Sequence, residues 1–294
     1  MTLDPVAHFA CKTGEGPLWH PDDNAVYWFD IPMGRLFRYD CAKGRAELIH
    51  TGEVIGAATL EVDGNLLLLG AGCAIDRFDL QTRTRTRLIG PIADESRFND
   101  AIVDRGGRIY SGSMVRGDWN TGEPGRLYRI DPDGTRTVID EGFRCPNGFA
   151  FTPDGSELTF TNTTEGQLLR YRHDPDTGAL TDRRVVWADP DQTPDGIAAD
   201  TTGHLWSARW GGHAVICHDW QTGEPIDRIA VPAEAVTSLC FAGPDLDEIY
   251  VTSAMGKGVF DPPPDDLAGA LFHGVIERDG TRVRGVPEFR SRLG

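Results

Sequence analysis

The chain has 294 residues, with 29 basic and 45 acidic side chains and a formal charge of -16. That length makes one large domain or two small ones, and 39% hydrophobic with 25% charged residues describes a folded protein, not a disordered one. So acidic a chain repels phosphate backbones and anionic lipid, and no apolar run approaches the roughly 18 residues of a membrane helix, so nucleic acid and membranes are excluded as partners.

The opening stretch, MTLDPVAHFACK, has neither the basic start nor the apolar core of a signal peptide, and the expected location is the cytoplasm. Cys11, Cys41, Cys73, Cys145, Cys217 and Cys240 are scattered, with no CxxC pair. Free thiols are expected, with neither a disulfide framework nor a thiolate zinc site.

In chain order, one phrase recurs: a turn of Asp, Gly or Pro, then a short aromatic and β-branched run. It reads PDDNAVYWFD (21–30), VDGNLLLLG (62–70), RGGRIYSGS (105–113), PDGSELTFTN (153–162), TTGHLWSAR (201–209) and PDLDEIYVTS (244–253). With Tyr27, Leu67, Tyr110, Phe160, Trp206 and Tyr250 as markers, the steps are 40, 43, 50, 46 and 44 residues. A second phrase follows each copy, clearest in GRLFRYD (34–40) and GRLYRID (125–131), and several copies run into turns such as DPDGT (131–135). Turn residues between short alternating runs indicate antiparallel strands joined by hairpins. No dozen residues carry an uninterrupted helical stripe.

Six such units predict an all-β fold, a six-bladed β-propeller of four-stranded antiparallel blades around a central channel, with residues 1–294 as one domain. A β-sandwich would not repeat a two-phrase pattern six times. The strand near Val6–Phe9 is expected to join the last blade and close the ring. QTRTRTRL (81–88) reads as an exposed outer strand, DPDG (131–134) as a hairpin turn lacking the acidic spacing of an EF-hand, and 255–269 as a Pro- and Gly-rich loop. Asn162-Thr163-Thr164 is a glycosylation string only in a secreted protein.

The segments before the turn phrase align in a second way. Placing Gly16, Asp100, Gly148 and Gly196 in one column puts Glu15, Asn99, Asn147 and Asp195 in the column before it, while the other two blades offer Gly56 and Thr237 or Ser238. Two carboxylates and two amides make a hard oxygen site suited to Ca²⁺, Mg²⁺ or Mn²⁺. The bland alternative is that Asn-Gly and Asp-Gly are turn dipeptides. Glu15 belongs to no such dipeptide. No GxSxG or HExxH string occurs, which argues against serine-hydrolase and zincin chemistry.

GEGPLW, RFND followed by GRIYSGSM, PNGFAFTPDG, PDGIAAD with GHLW, and TSLCFAGPDLDEIYVTS resemble the gluconolactonase / senescence-marker-protein (regucalcin-like) family, in order from about residue 13 to about residue 275. The resemblance implies a six-bladed propeller with one divalent metal, Ca²⁺ first with Mg²⁺, Mn²⁺, Zn²⁺ and Fe²⁺ left open, and hydrolysis of sugar lactones. It assigns the metal to Glu15, Asn147 and Asp195, and substrate contact to Arg97 and Asn99. The chain departs from the family at Thr161-Asn162-Thr163, where a carboxylate is often found, at Cys145-Pro146, and at Val115–Glu123, a region expected to help choose substrate through Asp118 or Glu123.

Lactone hydrolysis needs a polarised carbonyl, an activated water and a stabilised oxyanion. On that reading Asp195 is the base, Glu15 the alternative base, and Arg97 orients the substrate through its planar donor fork. The partner is a small sugar lactone. The sequence is silent on oligomeric state, with a monomer favoured. Two rivals stay open: a propeller hydrolase acting on another bond, such as a phosphotriester, and a non-enzymatic calcium-binding or interaction propeller.

Overall fold

A computed structural model describes residues 3–92, 95–115, 122–256 and 267–293. The chain divides into two compact units, Met1–Gly52 with Pro190–Pro287, and Glu53–Asp189 with Glu288–Gly294. The described residues form an all-β, six-bladed β-propeller, each blade a four-stranded antiparallel sheet. They contain no α-helix, only a 3-10 turn at Thr163–Glu165.

The first unit holds blades one, five and six. Strand β1 (Asp4–His8) leads to blade one, β2 (Gly14–His20), β3 (Ala25–Asp30), β4 (Arg35–Asp40) and β5 (Arg45–Thr51). The second unit holds blade two, β6 (Ile55–Leu60), β7 (Leu66–Gly70), β8 (Ile75–Asp79) and β9 (Thr84–Ile89). Blade three follows as β10 (Glu95–Val103), β11 (Ile109–Val115), β12 (Gly125–Ile130) and β13 (Arg136–Phe143). Blade four is β14 (Pro146–Phe151), β15 (Glu157–Asn162), β16 (Gln167–His173) and β17 (Leu180–Ala188). Back in the first unit come blade five, β18 (Pro194–Ala199), β19 (His204–Arg209), β20 (Ala214–Asp219) and β21 (Pro225–Ala230), and then β22 (Ala235–Ala242), β23 (Glu248–Ala254) and β24 (Ala270–Gly274).

Blade six is completed from the other end of the sequence. Its order is β1-β24-β23-β22, with Asp4 opposite His273 and His8 opposite Ala270. This is the closing strand expected near Val6–Phe9. Within the first unit β22 lies beside both β2 and β18, and within the second β10 lies beside both β6 and β14. Within each unit the opening strand of one blade therefore packs against the opening strands of its neighbours.

The repeated phrase has a physical cause. All six markers lie on the second strand of their blade, and each is at most 2% exposed. In three blades the turn aspartate accepts the polar hydrogen of the marker: Tyr27 Oη donates to Asp23 Oδ2, Tyr110 Oη to Asp104 Oδ2, and Trp206 Nε1 to Asp200 Oδ2. A buried aromatic with a polar tip needs such a partner, and the turn supplies it within a few residues. The apolar cores lie between neighbouring blades. In the first unit one gathers Trp206, Val215, Val236 and Phe272, and in the second another gathers Tyr110, Leu127, Phe149 and Phe160.

Outer strands behave as edges should. Strand β9, read from Thr-Arg alternation, is mostly exposed. Arg85 Nε lies 2.5 Å from Asp76 Oδ2, and Arg87 Nε pairs with Oδ1 of the same buried carboxylate. The 131–134 string is the expected hairpin turn, closed by Gly134 N–H donating to Asp131 O at 2.8 Å with Gly134 at φ 83°. All six cysteines are free, five buried and Cys41 partly so. Among the described residues no helix is long and apolar enough to cross a membrane. Most of the 255–269 segment lies outside the described residues.

Candidate active site

The column of Glu15, Asn99, Asn147 and Asp195 coincides with a recurrent backbone irregularity. In every blade the pairing of first and second strands shifts register there: between Glu15 and Leu18, Ile55 and Ala57, Phe98 and Ala101, Asn147 and Phe149, Pro194 and Ile197, and Val236 and Ser238. A bulge leaves residues unpaired and re-aims side chains: Asn99 and Asp195 are among the unpaired, while Glu15 and Asn147 pair with Phe29 and Thr161 and stand just before the shift. Gly16 at φ 53° and Gly148 at φ 35° follow the column residue in two blades, where a side chain would be strained. The Asn-Gly in β14 is thus a bulge, not a hairpin turn.

In the first unit Glu15 and Asp195 stand on the two strands that flank β22, and they are 7% and 4% exposed. Glu15 Oε2 accepts the Gly16 N–H at 2.8 Å. Strand β22 is drawn in tightly on both sides. Thr237 Oγ1 donates to Gly14 O at 2.6 Å, and a Cβ on Gly196 would overlap the Ser238 side chain.

In the second unit the structure brings Arg97, Asn99 and Asn147 together. Arg97 Nη1 donates to Asn99 Oδ1 at 2.5 Å and to Phe98 O at 3.0 Å. Asn99 Nδ2 donates to Asn147 Oδ1 and to Pro146 O, both at 2.8 Å. Asn147 Nδ2 in turn donates to Thr163 Oγ1 at 3.2 Å and points at Cys145 Sγ, 3.8 Å away. Asn99 and Asn147 are 6% and 7% exposed, so their amide groups are satisfied inside the protein. Asp100, next in the chain, is pushed up to about 6 by burial, against the opposing N–H bonds from Ala101 and Gly148.

In the first unit Glu15 and Asp195 offer carboxylate oxygens, and in the second Asn147 offers an amide oxygen, each from a largely buried side chain; oxygen donors of these kinds suit a hard divalent cation. Two features escaped the sequence reading. Thr163 was noted only within a glycosylation string and in the Thr161-Asn162-Thr163 departure from the family, yet its hydroxyl holds Asn147. Gly56, the blank in the column, lies against Arg97, whose Nη1 is 3.1 Å from where a Cβ on Gly56 would stand. Asp118 lies outside the described residues, and among the described residues no contact assigns Glu123 a role.

The sequence profile described as "SMP-30/Gluconolactonase/LRE-like region" matches residues 13–255. The chain is 40% identical to the pentonolactonase XacC of Haloferax volcanii over 100% of both chains, and 31% identical to a 6-deoxy-6-sulfogluconolactonase of Pseudomonas putida over 92% of this chain and 94% of that one. Among solved structures it superposes with TM-score 0.86 on a calcium-binding protein, regucalcin, from Agrobacterium tumefaciens str. C58, at 27% identity over 100% of this chain and 98% of that one. A luciferin-regenerating enzyme at 21% identity and TM-score 0.88, over 99% of both chains, shares the fold. With 243 consecutive positions under the profile and a full-length relative at 40% identity, the chain belongs to the SMP-30/gluconolactonase/LRE-like family.

Proposed function

We propose that this protein is a divalent-metal-dependent lactonase that opens the ester bond of a sugar lactone to give the aldonic acid, with its six blades acting as one domain. The observation that carries the reading is the recurrent bulge, at which or just before which four blades carry an oxygen-bearing side chain. Glu15, Asn147 and Asp195 would hold the ion, Ca²⁺ first among the candidates. When bound, such an ion supplies Lewis-acid polarisation of the lactone carbonyl and charge to balance the developing oxyanion.

The remaining work falls to the chain itself. Asp195 takes the proton of the attacking water, since a carboxylate engaged through one oxygen keeps a second one basic. Arg97, already anchored through Nη1, orients the ring oxygen or hydroxyls with the rest of its planar fork. Asn99 has both amide hydrogens engaged, so it meets a ligand through the second lone pair of Oδ1. Five-carbon aldonolactones come first as substrates because the full-length relative at 40% identity is named a pentonolactonase. The test is hydrolysis of an aldonolactone panel by wild type and Asp195→Asn, each with metal removed and restored. Loss of turnover in Asp195→Asn with retained folding supports the assignment, and unchanged turnover removes Asp195 from the mechanism.

A further inference from the structure

The hydrogen bonds of the second unit form a chain with one sense. Arg97 can only donate, and Nη1 takes Asn99 Oδ1 as acceptor. That fixes the Asn99 amide with its nitrogen toward Asn147 Oδ1. The Asn147 amide is fixed twice, at its oxygen by Asn99 and at its nitrogen by Thr163 Oγ1. Thr163 is itself held: it is 6% exposed, it opens the 3-10 turn, and its N–H donates to Cys145 O at 3.2 Å. Among the described residues the second amide hydrogen of Asn147 faces Cys145 Sγ at 3.8 Å, a weak acceptor that cannot replace a hydroxyl.

We propose that Thr163 is a positioning residue for metal binding: by holding the Asn147 NH₂ group it keeps Asn147 Oδ1 as the atom offered to the cation. The inference rests on the reading of Asn147 as a ligand. An asparagine has one oxygen and one NH₂, and a flip would present N–H dipoles, positive end first, to a cation. Neighbours that set a ligand's orientation typically change metal affinity about 10- to 100-fold when removed. Because Asn99 still holds one end of Asn147, the lower end of that range applies here.

The experiment is calorimetric titration of the chelated full-length protein with Ca²⁺, comparing wild type, Thr163→Val and Thr163→Ser, each alone and in an Asn147→Asp background. Thr163→Val should weaken Ca²⁺ binding about tenfold. Thr163→Ser, which keeps the acceptor, should stay within about twofold, and kcat at saturating metal should change little. In Asn147→Asp, whose two oxygens are equivalent, the Thr163→Val effect should vanish, a coupling that a packing defect would not produce. Should Thr163→Val fail to fold, Thr163→Ala carries the same comparison. Equal affinity of wild type and Thr163→Val overturns the proposal, as does an equal loss in both Asn147 backgrounds. Absence of Ca²⁺ binding in wild type overturns the metal assignment and this inference with it, an outcome distinct from binding that ignores Thr163.

Discussion

Gly56 and Arg97 share one space. A Cβ on Gly56 would overlap the Phe98 carbonyl oxygen and come within 3.1 Å of Arg97 Nη1, the atom that anchors the guanidinium to Phe98 O and Asn99 Oδ1. The blade that has a glycine at the column position leaves room there for the arginine. Gly56→Ala is expected to cost about 3 kcal/mol, because overpacking against backbone cannot be relieved by a rotamer change. Urea denaturation measures the loss. If KM for the lactone rises with it while kcat holds, the displaced group is Arg97 acting on substrate binding.

Asp200 organises its turn and its blade together. Its Oδ1 accepts from Thr202 N, Thr202 Oγ1 and His204 N, and its Oδ2 accepts from Trp206 Nε1, all within 2.8–3.0 Å. The residue is fully buried. Asp200→Ala strands these donors and should destabilise the protein by about 3 kcal/mol, whereas Asp200→Asn keeps one acceptor oxygen and should lose less. Thermal unfolding of the two variants checks the ranking. Equal losses would mean that the one oxygen kept in Asp200→Asn contributes nothing to the turn.

His218 makes stability depend on pH with a definite sign. It is 1% exposed, its Nδ1 faces Gly223 O at 2.7 Å, and its Nε2 faces Arg209 Nη2 at 2.6 Å. A carbonyl only accepts and a guanidinium only donates, so the ring is neutral with the proton on Nδ1. Burial first, and the Arg209 charge second, lower its pKa from 6.5 to about 4. Below pH 6.5 the unfolded chain binds a proton that the folded chain refuses, so His218's contribution is complete above that value. It is lost as pH falls toward about 4, on the order of 3 kcal/mol in all. His218→Gln keeps an acceptor for Arg209 and cannot titrate. Denaturation series from about pH 4 to 8 should show a smaller acid loss in the variant than in wild type; parallel curves would place the acid sensitivity elsewhere.

The fold was legible because its signal is periodic. Tyr27, Tyr110 and Trp206 recur with their aspartates since each aromatic must satisfy its polar tip locally, and local needs are written in local sequence. The column of Glu15, Asn99, Asn147 and Asp195 was legible for the same reason, each blade repeating one register. The bulge beneath it was not, because a register shift between two strands leaves no composition of its own. Thr163 escaped because it lies 16 residues beyond Asn147, past a hairpin, and a single threonine in a loop carries no pattern. Gly56 was seen only as a gap, since what fills a gap depends on the neighbouring blade.

The central claim is metal-dependent lactone hydrolysis, and the most direct test is a pH-indicator assay on a panel of aldonolactones. It should use chelated protein and then restore Ca²⁺, Mg²⁺, Mn²⁺ and Zn²⁺ one at a time. The account predicts no turnover in the chelated protein, recovery with a divalent ion, highest activity on a five-carbon lactone, and loss of that activity in Asp195→Asn. Full turnover in the chelated protein, or none with any ion despite its binding, would contradict it.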